Sequence, residues 1–449
     1  MRDLSAIIKA YDVRGVVPDQ LDADLARAAG AAFVQVIGAD RVVVGHDMRP
    51  SSPELVSAFA EGATAQGADV VLMGLASTDA LYFASGHLGI AGAMFTASHN
   101  PAQYNGIKLC RAGAAPVGQD TGLAEIRALL EAGDVPAYDG ARGSISEAAL
   151  LEEYGAYLRG LVDLSGIRPL KVVIDAGNGM GGHTVPVVLA GLPLDIVPMY
   201  FELDGTFPNH EANPIEPENL RDLQARVLAE GADLGLAFDG DADRCFVVDE
   251  TGAIVTPSVV TALIAVRELA KEPGATIIHN LITSQAVPEI VREHGGTPVR
   301  TRVGHSFIKA VMAETGAAFG GEHSGHFYFR EFWRADSGML AAMHVMAALG
   351  EDTRPLSQVL TDYSRYAASG EINSTVADQG AALSAVFAAY KGRDGVSFDE
   401  LDGLTVTGPG WWFNLRASNT EPLLRLNAEA ASPAEVAALA DEVLALIRT

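Results

Sequence analysis

Arg41-Val42-Val43-Val44-Gly45-His46-Asp47 is a short apolar run closed by polar residues, and Ser51-Ser52-Pro53-Glu54 follows it. A capping serine, a proline in the first turn and an apolar stripe running to Gly67 predict a helix directly after a buried strand. Asp69 to Leu75 predicts the next strand, and Ala91 to Thr96 another. Strands alternating with helix-period segments predict right-handed βαβ units and a largely parallel sheet. The pattern restarts twice. Lys171-Val172-Val173-Ile174-Asp175 leads into glycines and a helix, followed by a helix from Glu218 to Glu230 and a strand from Leu234 to Phe238. Ala275-Thr276-Ile277-Ile278-His279 opens a third unit, with helices near 284–294 and 305–315. The last stretch differs. Leu404-Thr405-Val406, Trp411 to Arg416 and Leu423 to Ala428 predict strands, and Ser432 to Ile447 one amphipathic helix. The expected fold class is α/β: three related α/β domains with mixed, mostly parallel sheets, plus a smaller C-terminal α+β domain. Polar or Gly/Pro-rich stretches near 145, 252 and 365 give expected domains 1–145, 146–252, 253–365 and 366–449.

With 449 residues, 49% hydrophobic and 20% charged, the chain has material for several packed cores, and disorder is excluded. A net charge of −26 repels nucleic-acid backbones and anionic membrane surfaces, so neither is an expected partner. An anionic substrate must therefore be held by a local cluster of basic groups. No apolar run reaches the ~18–20 residues that span a bilayer, and Met1-Arg2-Asp3-Leu4 has no apolar signal core. Two cysteines, Cys110 and Cys245, are too few for a disulfide scaffold and suit a reducing compartment. A cytoplasmic protein is expected, and the residues carry no signal for an oligomeric state.

Asp239-Gly240-Asp241-Ala242-Asp243-Arg244 directly follows an apolar run. Carboxylates at alternate positions on a glycine turn can converge their oxygens on one point, where they repel one another if unpaired. Hard oxygen ligands suit Mg²⁺, and the plainer reading is a solvated acidic turn. An EF-hand does not fit, because Arg244 falls where that loop needs glycine and no Glu closes its frame. Thr96-Ala97-Ser98-His99-Asn100-Pro101 ends another apolar run, with Lys108 ten residues after Ser98. A serine beside a histidine is a candidate activated or phosphorylated hydroxyl, although Ser-His-Asn-Pro also reads as an ordinary turn. In Gly320-Gly321-Glu322-His323-Ser324-Gly325-His326, Glu322 and Ser324 can point the same way toward adjacent sugar hydroxyls, with His326 available for proton transfer. A polar turn is the alternative, and a zinc site lacks the helical i,i+4 histidine pair. Arg416-Ala417-Ser418-Asn419-Thr420-Glu421-Pro422 offers a guanidinium, hydroxyls and an amide to a phosphate, or is a plain hairpin connection. Gly177-Asn178-Gly179-Met180-Gly181-Gly182 fits G-x-G-x-x-G, with Asp195 and Glu202 roughly where a ribose-binding acid would sit. A dinucleotide site is thus conceivable, but His183-Thr184-Val185-Pro186 is a poor helix start.

Together the serine, acidic, sugar and arginine stretches match, in order and across nearly the whole chain, the α-D-phosphohexomutase superfamily, and the chain resembles its bacterial phosphomannomutase/phosphoglucomutase branch. Ala10-Tyr11-Asp12-Val13-Arg14-Gly15, Asn213-Pro214-Ile215-Glu216-Pro217-Glu218-Asn219-Leu220 and Val303-Gly304-His305-Ser306-Phe307-Ile308-Lys309 add to the match. The resemblance implies four domains around a central cleft, each supplying one loop. It makes Ser98 the phosphoserine, and Asp239, Asp241 and Asp243, with an oxygen on Ser98, the Mg²⁺ ligands. It assigns Glu322 and Ser324 to sugar O3 and O4, and Arg416, Ser418, Asn419 and Thr420 to the phosphate that is not transferred. Tyr11, Arg14, Lys108, Arg244, His305 and His326 would line the cleft, with Lys108, His99 and His326 as candidates for proton transfer. The family pattern commonly has Lys where this chain has Arg302, which keeps the charge but changes its reach, so Arg302 is expected as a phosphate ligand. The implied activity interconverts hexose 6-phosphate and hexose 1-phosphate, mannose favoured and glucose accepted, through a hexose 1,6-bisphosphate. Phosphoglucosamine mutase, a Mg²⁺-dependent sugar phosphatase and a non-catalytic sugar-phosphate sensor are the alternatives. The intact serine and acidic triplet argue against the sensor, and the separate phosphate stretch argues against the phosphatase.

Overall fold

The computed structural model describes residues 4–8, 11–133, 135–417 and 423–448, without the side chains of His305 and Ser306. In the first sheet Arg41–His46 is central, parallel to Asp69–Leu75 on one side and Ala91–Phe95 on the other. Tyr104–Arg111 returns antiparallel beside Ala91–Phe95, and Val13–Val16 pairs with its outer edge. The second sheet repeats the plan around Leu170–Asp175, with Leu194–Met199 and Leu234–Phe238 parallel to it and Cys245–Asp249 returning. The third repeats it again around Thr276–Asn280, with Thr297–Thr301, Phe319–Gly321 and the returning Phe327–Phe329. The three units share one strand order, second-first-third-fourth. In each, the connection from the third strand to the returning fourth leaves the carboxyl end of a buried parallel strand, where α/β sheets place their sites. Those connections are the Ser98, Asp239–Asp243 and Glu322 turns.

The last sheet is wholly antiparallel, in the order Ala367–Thr375, Leu423–Ala430, Trp411–Ala417, Leu404–Gly408, Ser397–Asp399. Helices Gln379–Tyr390 and Pro433–Ile447 accompany it, the second capped by the Ser432 hydroxyl. One apolar core runs through the first three units, from Val43 and Phe83 through Val172 and Phe238 to Ile277 and Leu349. The last unit has its own core, including Val406, Phe413, Leu426 and Val443. Among the described residues no helix is long and apolar enough to cross a membrane.

Four local expectations are corrected. The boundary at 145 falls inside the strand Ile145–Glu147, which pairs with Asp69–Leu75 and carries the first sheet to 147. Its three residues are exposed, which is why they read as a linker. Ser51 does not cap the helix Ser52–Ala65, since its backbone is already helical and its hydroxyl accepts from Asn105 Nδ2 at 2.8 Å. The predicted helix from Glu218 opens as a tight turn, Pro217–Leu220, and becomes α-helical only over Arg221–Glu230. Gly181–Val188 is helical despite its poor start, with Pro186 inside. The glycines before it serve packing: a Cβ on Gly179 would lie 2.7 Å from the Gly240 carbonyl oxygen, and Met180 N donates to that oxygen at 2.9 Å.

Candidate active site

Ser98 sits in the left-handed region, at φ 49°, a conformation costing roughly 1–3 kcal/mol for a non-glycine residue. Arg49, buried just beyond strand Arg41–His46, holds it there. Its Nη2 donates to the carbonyls of Ser98 (3.0 Å) and Asn100 (2.7 Å), its Nη1 to those of Pro101 (2.8 Å) and Tyr104 (2.9 Å). Asp47 completes the anchor, accepting from Arg49 Nε at 3.1 Å and from the Ser52 hydroxyl at 2.8 Å. The Ser98 hydroxyl donates to Asp239 Oδ2 at 2.7 Å, and His99 Nδ1 stands 3.2 Å from the same Oγ. Burial, with Arg244 and Arg14 nearby, holds His99 well below the usual imidazole range, so it is neutral at pH 7.

Asp239, Asp241 and Asp243 are buried, and each offers an oxygen within 4.8 Å of the others. Lys108 Nζ donates to Asp241 Oδ2 (2.7 Å) and Asp243 Oδ2 (2.6 Å), Thr78 Oγ1 to Asp241 Oδ2 (2.6 Å), and Arg244 Nε to Asp239 Oδ2 (2.9 Å). Burial drives the Asp239 carboxyl upward, with Arg244 opposing the rise and Asp241 and Asp243 adding to it. Burial would lift Asp241 as well, but Lys108 more than offsets it and keeps that group ionised. Asp241 Oδ1 and Asp243 Oδ1 are buried without a hydrogen-bond partner. Unpaired buried carboxylate oxygens are costly. A divalent cation with hard oxygen ligands would satisfy both, so the donor set fits one. Only glycine lets this turn meet the serine turn, since a Cβ on Gly240 would lie 2.4 Å from the Ser98 carbonyl oxygen.

The Glu322 carboxylate is aimed by three donors: Gly304 N (3.1 Å) and Asn280 Nδ2 (3.4 Å) on Oε1, and the Tyr328 hydroxyl (2.6 Å) on Oε2. Ser324 Oγ and His326 Nδ1 are 2.8 Å apart, and His326 Nε2 lies 3.7 Å from Asp243 Oδ1. Backbone joins the two turns, Cys245 N donating to the Gly325 carbonyl at 3.3 Å. At the rim, Arg14 donates to Asn100 Oδ1 and Asp12 Oδ2, both at 2.6 Å, and Tyr11 is 38% exposed.

The structure thus brings Arg14, Ser98, His99, Lys108, the acidic triplet, Arg244, Ser324, Glu322 and His326 into one connected site. Arg416, at the end of strand Trp411–Ala417, stands 3.7 Å from Asp402 and from Glu371 of its own domain. Ser418, Asn419 and Thr420 lie outside the described residues, as does the His305 side chain. Arg302 is exposed and stacks on the Phe307 ring at 4.9 Å. Sequence reasoning missed four residues. Arg49 was legible only as a charge beyond the end of a parallel strand. Thr78 opens a helix from another part of the chain, and Tyr328 is one of three successive aromatics. Arg425 is paired in register with Arg416 and stands 3.6 Å from the same Glu371.

All four "Phosphoglucomutase/phosphomannomutase" family models match: alpha/beta/alpha domain I over residues 5–136, domain II over 152–252, domain III over 257–366 and the C-terminal domain over 371–446. The chain belongs to this family. A phosphomannomutase of Salmonella typhimurium is 41% identical over 429 residues, 94% of each chain. A protein of Xanthomonas campestris pv. campestris named for phosphohexose mutases is 43% identical over 427 residues, again 94% of each. A solved phosphoglucomutase/phosphomannomutase family protein from Burkholderia thailandensis superimposes with TM-score 0.90 at 34% identity, covering 100% of this chain and 98% of its own.

Proposed function

We propose that this phosphosugar mutase moves a phosphoryl group between O6 and O1 of a hexose, with Ser98 carrying it and a hexose 1,6-bisphosphate turning over within the cleft. The observation that carries this reading is the Ser98 hydroxyl, held in a strained conformation between Asp239 and neutral His99, against an acidic turn with two unpartnered oxygens. Asp239, Asp241, Asp243 and Ser98 are suited to hold Mg²⁺, which when bound supplies charge neutralisation to a phosphoryl group in transfer. Lys108 and Arg244 balance the remaining negative charge. His99, 3.2 Å from Oγ, is our candidate to take the serine proton and His326 our candidate to exchange one with the sugar hydroxyl, whereas Lys108, whose ammonium Asp241 and Asp243 hold and stabilise, serves charge balance in place of proton transfer. Glu322 and Ser324 grip O3 and O4, whose configurations glucose and mannose share. Arg416, joined by Arg425 and by Ser418, Asn419 and Thr420, holds the phosphate that does not react, while Tyr11, Arg14, Arg302 and His305 line the approach.

The relatives' names support mannose as the favoured hexose, and the name of the family and of the solved relative supports glucose as accepted. Incubation with mannose 1-phosphate and a trace of hexose 1,6-bisphosphate should yield the 6-phosphate. Release of free phosphate would make the chain a phosphatase, and no product a sensor. Galactose 1-phosphate inverts O4 and should be rejected far more strongly than glucose 1-phosphate. Equal rates for galactose and mannose would refute the O3/O4 assignment.

A further inference from the structure

Residues 200–212 of the second domain leave the strand Leu194–Met199 and run across to the first domain as a strap. Asn178, in the glycine turn after Leu170–Asp175, ties the start of it. Its carbonyl accepts from Asp204 N at 3.0 Å, and its Nδ2 donates to the Glu202 carbonyl at 2.9 Å. The far end is tied by Asn209 Nδ2, which donates to Asn178 Oδ1 at 2.8 Å, and by His210 Nε2, which donates to Oδ2 of buried Asp175 at 2.9 Å. Between the ties is a tight turn, with Phe207 N donating to the Asp204 carbonyl at 3.0 Å and Thr206 N to Asp204 Oδ1 at 2.9 Å.

The tip of the strap rests on Arg49. A Cβ on Gly205 would lie 2.6 Å from Arg49 Cα and 2.9 Å from Pro50 Cδ, so only glycine lets the two segments come this close. The Phe207 ring lies over the Arg49 guanidinium, with Cζ 5.1 Å from the ring centroid. Four carbonyls and Asp47 occupy the edge of that guanidinium, which leaves its faces, and an aromatic ring is the group that suits a face. Half-buried Phe207 takes φ 51° here, a left-handed conformation that bulky residues avoid. Such strain persists only where the surroundings enforce it, and it clusters at functional sites. Past the tip, Ala212 returns to the acidic turn, where a Cβ on Gly240 would lie 3.6 Å from its own Cβ. One segment of the second domain therefore meets both the anchor of Ser98 and the turn that faces Ser98.

We propose that Phe207 is a positioning residue of the transfer step: from the second domain it steadies the Arg49 fork, and through that fork it fixes the Ser98 hydroxyl against the acidic turn. The inference rests on the proposed function, in which Ser98 carries the phosphoryl group. The glycine stretch at 177–182 gains a role with it, because Asn178 within that stretch is the post to which the strap is tied. Phe207 touches neither sugar nor phosphate in this role. Its effect is on the rate at which Ser98 gains and gives the group, and sugar-phosphate binding is left to other residues.

The test uses Phe207→Asn, because asparagine tolerates the left-handed turn and has no ring, beside Phe207→Tyr, which keeps the ring. The measurements are kcat and KM for mannose 1-phosphate with a trace of hexose 1,6-bisphosphate, the melting temperature, and, by intact mass, the rate at which Ser98 gains phosphate from the bisphosphate. Phe207→Asn should lower kcat and the Ser98 phosphorylation rate together by roughly 3–30-fold, the worth of one cation–π contact, with KM within about twofold. Phe207→Tyr should restore most of both rates. In an Arg49→Lys background Phe207→Asn should cost less than about twofold further, because the fork it steadies is gone. Unchanged rates with a lower melting temperature would make the strap purely structural and overturn the proposal, and so would a loss that multiplies with that of Arg49→Lys. Wild-type turnover without phosphate at Ser98 would sink the proposed function itself. Normal phosphorylation of the wild type, matched by Phe207→Asn, would sink this proposal alone.

Discussion

The Ser98, acidic and Glu322 turns come from different domains yet are built into one another, whereas the last domain is joined at its edges. Ser98 bonds Asp239, Thr78 and Lys108 bond Asp241, and Cys245 bonds Gly325, each pair crossing a domain boundary. The same three domains share a continuous apolar core. The last domain keeps its own core and meets the third through a few contacts, among them Gln285 N with Glu429 at 2.9 Å and Val303 N with Asp402 at 3.2 Å. Two different demands explain the contrast. Phosphoryl transfer needs charges fixed before substrate arrives. On the proposed function, a bisphosphate that turns over within the cleft needs a far grip that lets go.

The largest break is at the transfer point. Ser98→Ala should abolish nearly all turnover, by about 10³-fold or more, the scale of losing a reacting group, while the fold persists. Intact-mass analysis of the wild type should place a phosphate in the Ser98 peptide on a fraction of molecules, and near-normal activity of the variant would refute the assignment.

Next in size is the anchor beneath it. Arg49→Lys keeps the charge opposite Asp47 but cannot span four carbonyls with one planar fork. We expect a stability loss of roughly 2–4 kcal/mol, as buried carbonyls lose their donor, measured by denaturant unfolding. We also expect kcat to fall by about 10²-fold as Ser98 relaxes out of its strained conformation. A variant that loses stability but keeps kcat would show that the serine turn holds itself.

The separately packed half should answer differently. Arg416→Ala removes the proposed grip on the phosphate that does not react, so KM should rise roughly 10–100-fold, the range of charge-assisted hydrogen bonds, with kcat falling less and stability almost unmoved. A kcat loss larger than the KM change would place Arg416 in the transfer step and erase the contrast between the halves.

The fold was legible because buried parallel strands such as Ala91–Phe95 and Leu234–Phe238 are unbroken apolar runs followed by turns. The candidate site residues that come together were legible because their chemistry is concentrated in the short stretches that leave those strands. What escaped was long-range or weakly patterned. Arg49 acts on carbonyls 49 to 55 residues away, and nothing local marks that reach. Ala367–Thr375 is mostly half-buried or exposed and mixes Gly, Ser, Glu and Asn, so no period of two survives to mark it. Ile145–Glu147 is an exposed edge whose only signature is its pairing.

The smallest effect on activity, and the finest probe of the rigid half, is at Asp79. This buried carboxylate receives hydroxyls from its own domain (Ser77), from the second (Tyr154, 2.7 Å) and from the third (Ser337, 2.7 Å). Burial pushes its carboxyl up to about 6, against the pull of those three hydrogen bonds, and Asp243 adds to the rise. Because the folded value lies above the ordinary 3.8, the folded chain binds the proton more tightly than the unfolded chain between those values. The associated stability is therefore complete below about pH 4 and is lost as pH rises through 6. That rise corresponds to on the order of 3 kcal/mol. Asp79→Asn keeps the shape, can accept two of the hydroxyls and donate to the third, and cannot ionise. The melting temperature of the variant relative to wild type should climb by a few degrees between about pH 4.5 and 7.5 and then level off, with kcat at pH 7.5 within about twofold of wild type because the three-domain junction survives. Taking the difference between the two proteins cancels the repulsion common to both highly acidic chains. A difference that stays flat with pH would mean that the three hydroxyls alone carry the junction whether or not Asp79 is charged, and a large kcat loss would mean that its charge reaches the acidic turn.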